Sequence, residues 1–187
     1  KFFNELVSDF NLIIEKASNL GVEILVLPLV DNGSIKRKNE FEVLKGVLED
    51  LYGLLKVKKI KIAFESDFPP QELSKFINKF NNDLIGINYD IGNSASLGYD
   101  AKHEFLEYGS RIFNVHIKDR LYKGTTVRLG KGNADFEKVF SFFSNNYSGN
   151  FILQTARSDF NRHYEELKIN LAFLDKFFNK FNKKILK

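Results

Sequence analysis

Ile112-Phe113-Asn114-Val115-His116-Ile117-Lys118-Asp119 is an apolar run that carries one histidine near its end and then breaks into charge. Three other runs follow the same plan. Lys61-Ile62-Ala63-Phe64 ends on Glu65, the run from Leu84 to Tyr89 ends on Asp90, and Phe151-Ile152-Leu153 ends on Gln154. Each is short, rich in β-branched and aromatic residues, and followed by a helical pattern. In parallel strands the C-terminal ends share one edge, so Glu65, Asp90, His116 and Gln154 are expected to converge although they are far apart in the chain.

The order of elements supports parallel strands. Leu6, Phe10, Ile13, Ile14, Ala17 and Leu20 recur at helical spacing, with Gly21 placed to end that helix. Val22 to Leu27 reads as a buried strand closed by Pro28 and an Asp31-Asn32-Gly33 turn. Phe41, Leu44, Leu48, Leu51 and Leu55 form the next helical face, and Pro69-Pro70 opens a helix after the Glu65 strand. Further helices are expected over Ala101 to Tyr108, Phe136 to Phe143 and from about Asn161, with Thr125 to Leu129 as a doubtful sixth strand. Alternation of strand and helix marks a parallel α/β sheet with right-handed crossovers. No Gly-x-Gly-x-x-Gly follows the first strand, which disfavours a dinucleotide-binding sheet.

With 187 residues the chain suits one sizeable core rather than two domains. Its 43% hydrophobic and 28% charged content is that of an ordinary globular protein, and no apolar run reaches the length of a membrane span. The absence of cysteine excludes disulfides and thiolate metal sites and is compatible with a reducing cytoplasm. A net charge of +4 is spread over helical faces instead of gathered into a nucleic-acid footprint, and the basic tail Lys180 to Lys187 reads as a frayed helix end. The 20 phenylalanines read as compositional drift. The chain starts at Lys1, lacks methionine and opens on a helical pattern, so it is expected to be a fragment or processed chain.

Each strand-end residue has a plain reading beside the chemical one. Glu65 can be an exposed strand-end acid, and Asp90 before Ile91-Gly92-Asn93 can be turn chemistry. His116 sits inside an apolar strand, where an imidazole must find a partner; His103 and His163 lie in polar helical stretches and are expected on the surface. Lys118, Asp119 and Arg120 crowd the end of the histidine strand, and Arg157 is either a surface charge or an anion fork. Leu129-Gly130-Lys131-Gly132-Asn133 is either a turn capped by Asn133 or a loop whose backbone approaches a ligand. Taken together, two acids, a histidine and an amide make an oxygen and nitrogen donor set for one divalent cation.

The runs Phe64 to Asp67, Asn88 to Asp100, Val115 to Arg120 and Leu129 to Phe136 resemble the xylose-isomerase-like barrels, in their sugar-phosphate isomerase and epimerase branch. The resemblance implies a TIM (β/α)8 barrel. Residues 1–187 would form a single partial domain covering strands three to eight and lacking the first two. It implies one divalent ion, manganese, magnesium, cobalt or zinc, on Glu65, Asp90, His116 and Gln154, with Glu65 also acting as base. The family's second glutamate is here Gln154, whose amide coordinates but accepts no proton. Lys118, Asp119, Arg157 and Asn93 are the expected substrate contacts. The implied partner is a small carbohydrate, phosphorylated or not, handled by a cytoplasmic, homo-oligomeric isomerase or epimerase with no nucleic-acid or membrane partner. One alternative is a non-catalytic metabolite-binding descendant with a degraded site. Another, an apurinic-site endonuclease, needs more than the 3 histidines present.

Overall fold

The structure is a computed structural model that describes residues 2–81, 83–158 and 161–181; most of the basic tail lies outside them. Helix α1 (Phe2–Asn19) precedes strand β1 (Ile24–Leu29), then α2 (Lys38–Lys58), β2 (Lys61–Ser66), α3 (Pro70–Ile77) and β3 (Ile85–Asp90). Two short helices follow, α4 (Ile91–Leu97) and α5 (Ala101–Tyr108), and then β4 (Ile112–Ile117). A small hairpin of β5 (Asp119–Arg120) and β6 (Thr126–Val127) leads to α6 (Phe136–Asn146), β7 (Asn150–Leu153) and α7 (His163–Lys180).

The main sheet has the order β1-β2-β3-β4-β7, and every pairing in it is parallel. Thr125 to Leu129 does not join it: only Thr126 and Val127 pair, antiparallel, with Arg120 and Asp119. The Gln154 strand therefore lies directly beside β4, where an eighth-strand position implies a strand between them. Strand β1 runs through Pro28 to Leu29 instead of stopping before it. Proline is tolerated there because β1 is an edge strand of this sheet and the missing N–H breaks no ladder.

Alternation sorts the side chains. Ile62, Phe64, Ile87, Tyr89, Val115 and Ile117 are buried in the layer between sheet and helices. Phenylalanines fill that layer in two groups: Phe64 with Phe76 and Phe80, and Phe105, Phe140, Phe143, Phe151 and Phe178 around β3, β4 and β7. Many of the ring pairs are edge-to-face or tilted, a geometry worth about 0.5–1.5 kcal/mol each beyond area burial. The phenylalanine bias thus has a packing role. On α1 the apolar stripe is narrower than its spacing suggests, since Ile13 is exposed, as is Leu20 just beyond the helix. Gly21, at φ +72°, turns the chain out of α1 as expected. No described helix is long and apolar enough to cross a membrane.

Candidate metal centre

Asn88 and Asp90 alternate on one face of β3, and Asn114 and His116 alternate on one face of β4. The register pairs Asn88 with Asn114 and Asp90 with His116. All four are buried, so a polar layer lies against the strand ends opposite the aromatic layer. Glu65 comes in from β2. One ligand atom each from Glu65, Asp90 and His116 falls within 4.8 Å of the others. Parallel pairing is what assembles them, since each residue lies at the same end of its strand.

His116 Nδ1 is the hub. It lies 3.2 Å from Glu65 Oε2, 3.8 Å from Asp90 Oδ2, 3.1 Å from Asn88 Nδ2 and 3.0 Å from Gln154 Nε2. Protonated, Nδ1 donates to Glu65 Oε2 and brings positive charge to the acids; unprotonated, it can accept from Asn88 or Gln154. Asn88 also donates to Glu65 Oε2 at 2.9 Å, and Asn114 fixes Asn88 by donating to its Oδ1 at 2.6 Å. Gln154 is carried into place by its backbone N–H, which bonds Ile117 O at 2.9 Å and prolongs the β4–β7 ladder.

Asp90 does two jobs. It is the N-cap of α4, its Oδ1 accepting the Asn93 N–H at 2.8 Å, an arrangement worth about 1 kcal/mol. The turn read from Asp90-Ile91-Gly92-Asn93 is thus the first turn of a seven-residue helix. Its other oxygen, Oδ2, is buried and accepts no hydrogen bond of proper geometry, although Lys118 Nζ stands 2.7 Å away. Burial pushes the Asp90 carboxyl up despite the Lys118 charge. Burial also works to raise Glu65, but the hydrogen bond and charge of His116, with Lys118 and Asn88, outweigh it and hold Glu65 below the usual carboxylate range.

These residues fit a divalent cation. Two carboxylates and an imidazole are a hard-to-borderline donor set, and the buried Asp90 Oδ2 faces the Lys118 ammonium at 2.7 Å without a well-formed hydrogen bond. The other expected residues are placed differently. Lys118 is ion-paired to Asp90, and Asn93 donates from Nδ2 to Glu65 Oε1 at 2.7 Å. Arg157 is exposed beyond β7. Asp119 is fully buried, and its carboxylate accepts the backbone N–H groups of Gly130, Gly132 and Ala134 at 2.8–3.1 Å. A Cβ on Gly132 would lie 2.2 Å from Asp119 Oδ1, so the glycine-rich loop approaches this carboxylate closely. Both oxygens of Asp119 are taken up by the loop, which this carboxylate anchors. His103 is half exposed and His163 exposed, both away from the centre.

Asn88 and Asn114 have no site role in the sequence reading, whereas Arg120 belongs to the charged trio expected at the end of the histidine strand. The signal for the asparagines was available: an amide two residues before a strand-end ligand shares its face.

A parallel α/β sheet whose strand ends gather two acids and a histidine defines a class, a barrel-type α/β fold with a candidate metal-ligand group at its strand ends. The comparisons specify it: residues 5–177 match the family model described as xylose isomerase-like TIM barrel, and the chain belongs to that family. It is 25% identical over 156 residues to an inosose dehydratase of Clostridium perfringens, covering 71% of this chain and 52% of that protein. An inosose dehydratase of Clostridium tetani is also 25% identical, over 84% of this chain and 60% of that one. The chain thus spans between half and three fifths of these relatives. Its fold is similar to that of the IOLI protein with a bound zinc atom, with a TM-score of 0.76 at 21% identity over 95% of this chain and 70% of that chain. A xylose isomerase domain protein of Planctomyces limnophilus gives a TM-score of 0.75 at 18% identity, over 95% of this chain and 67% of the other. The parallel sheet found here is shorter than a complete eight-stranded barrel.

Proposed function

We propose that the protein is a divalent-metal-dependent isomerase or epimerase of a small sugar or sugar phosphate, working through an enediolate with Glu65 as base. The observation that carries this reading is the convergence of partly buried Glu65 with buried Asp90 and His116, one ligand atom of each lying within 4.8 Å of the others. Glu65 is ionised at neutral pH and takes the proton from the carbon beside the substrate carbonyl. Asn88 and Asn93 hold its two oxygens in one orientation. A cation held by Glu65, Asp90, His116 and Gln154 would supply charge stabilisation to the enediolate oxygens. Lys118 and Arg157 supply positive charge for substrate oxygens or a phosphate.

Gln154 accepts no proton at neutral pH, which leaves one obvious base. Moving a proton between adjacent carbons on one face needs one base, whereas epimerisation needs a donor on the opposite face. Isomerisation is therefore preferred to two-base epimerisation. Dehydration is a second reading, favoured by the inosose dehydratase relatives, because loss of a β-hydroxyl starts with the same proton abstraction. The proposed setting is the cytoplasm, as a homo-oligomer.

The test uses the full-length, metal-loaded protein in deuterated water with a panel of pentoses, hexoses and their phosphates, followed by NMR. Exchange of an α-proton with retention of all hydroxyls supports isomerisation, and exchange followed by loss of water supports dehydration. No exchange, together with ligand binding indifferent to chelator, overturns the enzyme reading in favour of a metabolite-binding descendant.

A further inference from the structure

We propose that Arg120 is a positioning residue for Glu65, acting through the side-chain amide of Asn93; this rests on the reading of Glu65 as metal ligand and base. The two ends of an asparagine amide have nearly the same shape and opposite hydrogen-bonding character. An arginine has only donors. Arg120 Nη1 lies 2.9 Å from one end of the Asn93 amide, so that end is the oxygen. The NH₂ end must then face Glu65 Oε1, 2.7 Å away. Reversing the amide would set two donors against each other at Arg120 and two acceptors against each other at Glu65.

The consequence reaches both acids. The Asn93 backbone N–H occupies Asp90 Oδ1 and its side chain occupies Glu65 Oε1. The oxygens left on the His116 side are Glu65 Oε2 and Asp90 Oδ2, at 3.2 and 3.8 Å from Nδ1. Asn93 thereby engages one oxygen of each carboxylate, and Arg120 fixes the side-chain amide that engages Glu65.

Arg120 is itself fixed. Its Nε and Nη2 donate to Gly124 O at 3.2 and 2.8 Å, across the loop of the β5–β6 hairpin. That hairpin is tied to α4 by Lys123 N–H on Ser96 O at 2.8 Å, and to the glycine-rich loop by Asn133 N–H on Arg120 O at 2.8 Å. Among the described residues Arg120 has no carboxylate partner. The Gly124 bonds alone would staple the hairpin, so the bond to Asn93 is surplus to loop structure.

The experiment compares full-length wild type with Arg120→Ala, Arg120→Lys, Asn93→Ala and the Arg120→Ala/Asn93→Ala double variant. The first measurement is metal-free NMR of the Asn93 side-chain amide, identified by its loss in Asn93→Ala. The second is Co²⁺ affinity with the cobalt absorption spectrum. In Arg120→Ala the Asn93 signal should shift and exchange faster, and Co²⁺ affinity should fall about 10- to 100-fold, the usual effect of removing a group that orients a ligand. Arg120→Lys keeps one donor and should restore part of both. The double variant should bind Co²⁺ no more weakly than Asn93→Ala alone, because Arg120 acts only through Asn93. An unchanged Asn93 signal in Arg120→Ala, or losses that multiply in the double variant, overturns the proposal. Wild type that takes up no Co²⁺ overturns the metal reading instead, and the amide signal still decides the part assigned to Arg120.

Discussion

Two acids are buried on opposite sides of β3, and the fold treats them differently. Glu104, on α5, accepts hydrogen bonds from Tyr89 Oη at 2.9 Å, from Tyr108 Oη at 2.7 Å and from Ser94 Oγ. Asp90, one residue along from Tyr89, has a backbone N–H on one oxygen and no well-formed hydrogen bond on the other. Burial pushes both carboxyls up. The difference lies in satisfaction: three hydroxyls make Glu104 part of the scaffold that ties β3, α4 and α5 together. Asp90 Oδ2 instead faces the Lys118 ammonium at 2.7 Å, an ion pair without a well-formed hydrogen bond. A buried acid by itself is no sign of a site, but a buried acid held by charge rather than by a set of hydroxyls, next to other ligands, is.

The largest expected effect tests the functional side of that contrast. Glu65→Gln should lower solvent exchange of the substrate α-proton by about 100- to 10,000-fold. Cobalt titration should still show binding, because the amide oxygen can coordinate; His116→Ala should lose the bound metal instead. Equal loss of metal in both variants would merge base and ligand into one role.

Glu104→Leu tests the scaffold side. It strands three hydroxyls and should lower stability by about 2–4 kcal/mol, seen as an earlier urea midpoint. A fall in Co²⁺ affinity with an unchanged midpoint would break the division drawn here.

Asp90→Asn should abolish tight metal binding and yet leave the metal-free protein somewhat more stable at neutral pH, since burial outweighs the Lys118 pair at this carboxyl. The sign follows from linkage. The folded-state pKa of Asp90 lies above its unfolded value near 3.8, so the folded protein binds more protons, and this group's contribution falls as pH rises through that window. The stability gain of Asp90→Asn over wild type should therefore grow from pH 3 toward neutrality; a gain that shrinks would reverse the assignment.

The smallest effect is expected at the sheet edge. Gln154→Glu adds a third carboxylate beside His116 Nδ1, and a second potential base, and should add 3-epimerase activity without moving the urea midpoint. If no new epimer forms, the one-base argument loses its support.

Much of the layout was legible locally. Apolar runs and helical spacing located the five strands of the main sheet, because alternation and 3.6-residue periodicity are written into neighbouring positions. Helix α4 was missed for a local reason as well: Ile91-Gly92-Asn93-Ser94-Ala95-Ser96-Leu97 has weak helical propensity. Its Asp90 cap, the Lys123 bond and the tie from Ser94 to Glu104 hold it instead. The Thr125 to Leu129 strand failed because the chain beyond it is drawn back over Asp119.

What the sequence determined by itself is the convergence of Glu65, Asp90, His116 and Gln154, since parallel strands bring their C-terminal ends to one edge whatever the details of packing. Which of the neighbouring polar residues serve the centre was decided only by the tertiary structure. Asp119 anchors a loop, Glu104 braces a helix, and Asn93 bridges two acids under the direction of Arg120. Each of these roles depends on a buried polar group finding a partner 10 or more residues away, and that pairing leaves no pattern among adjacent positions.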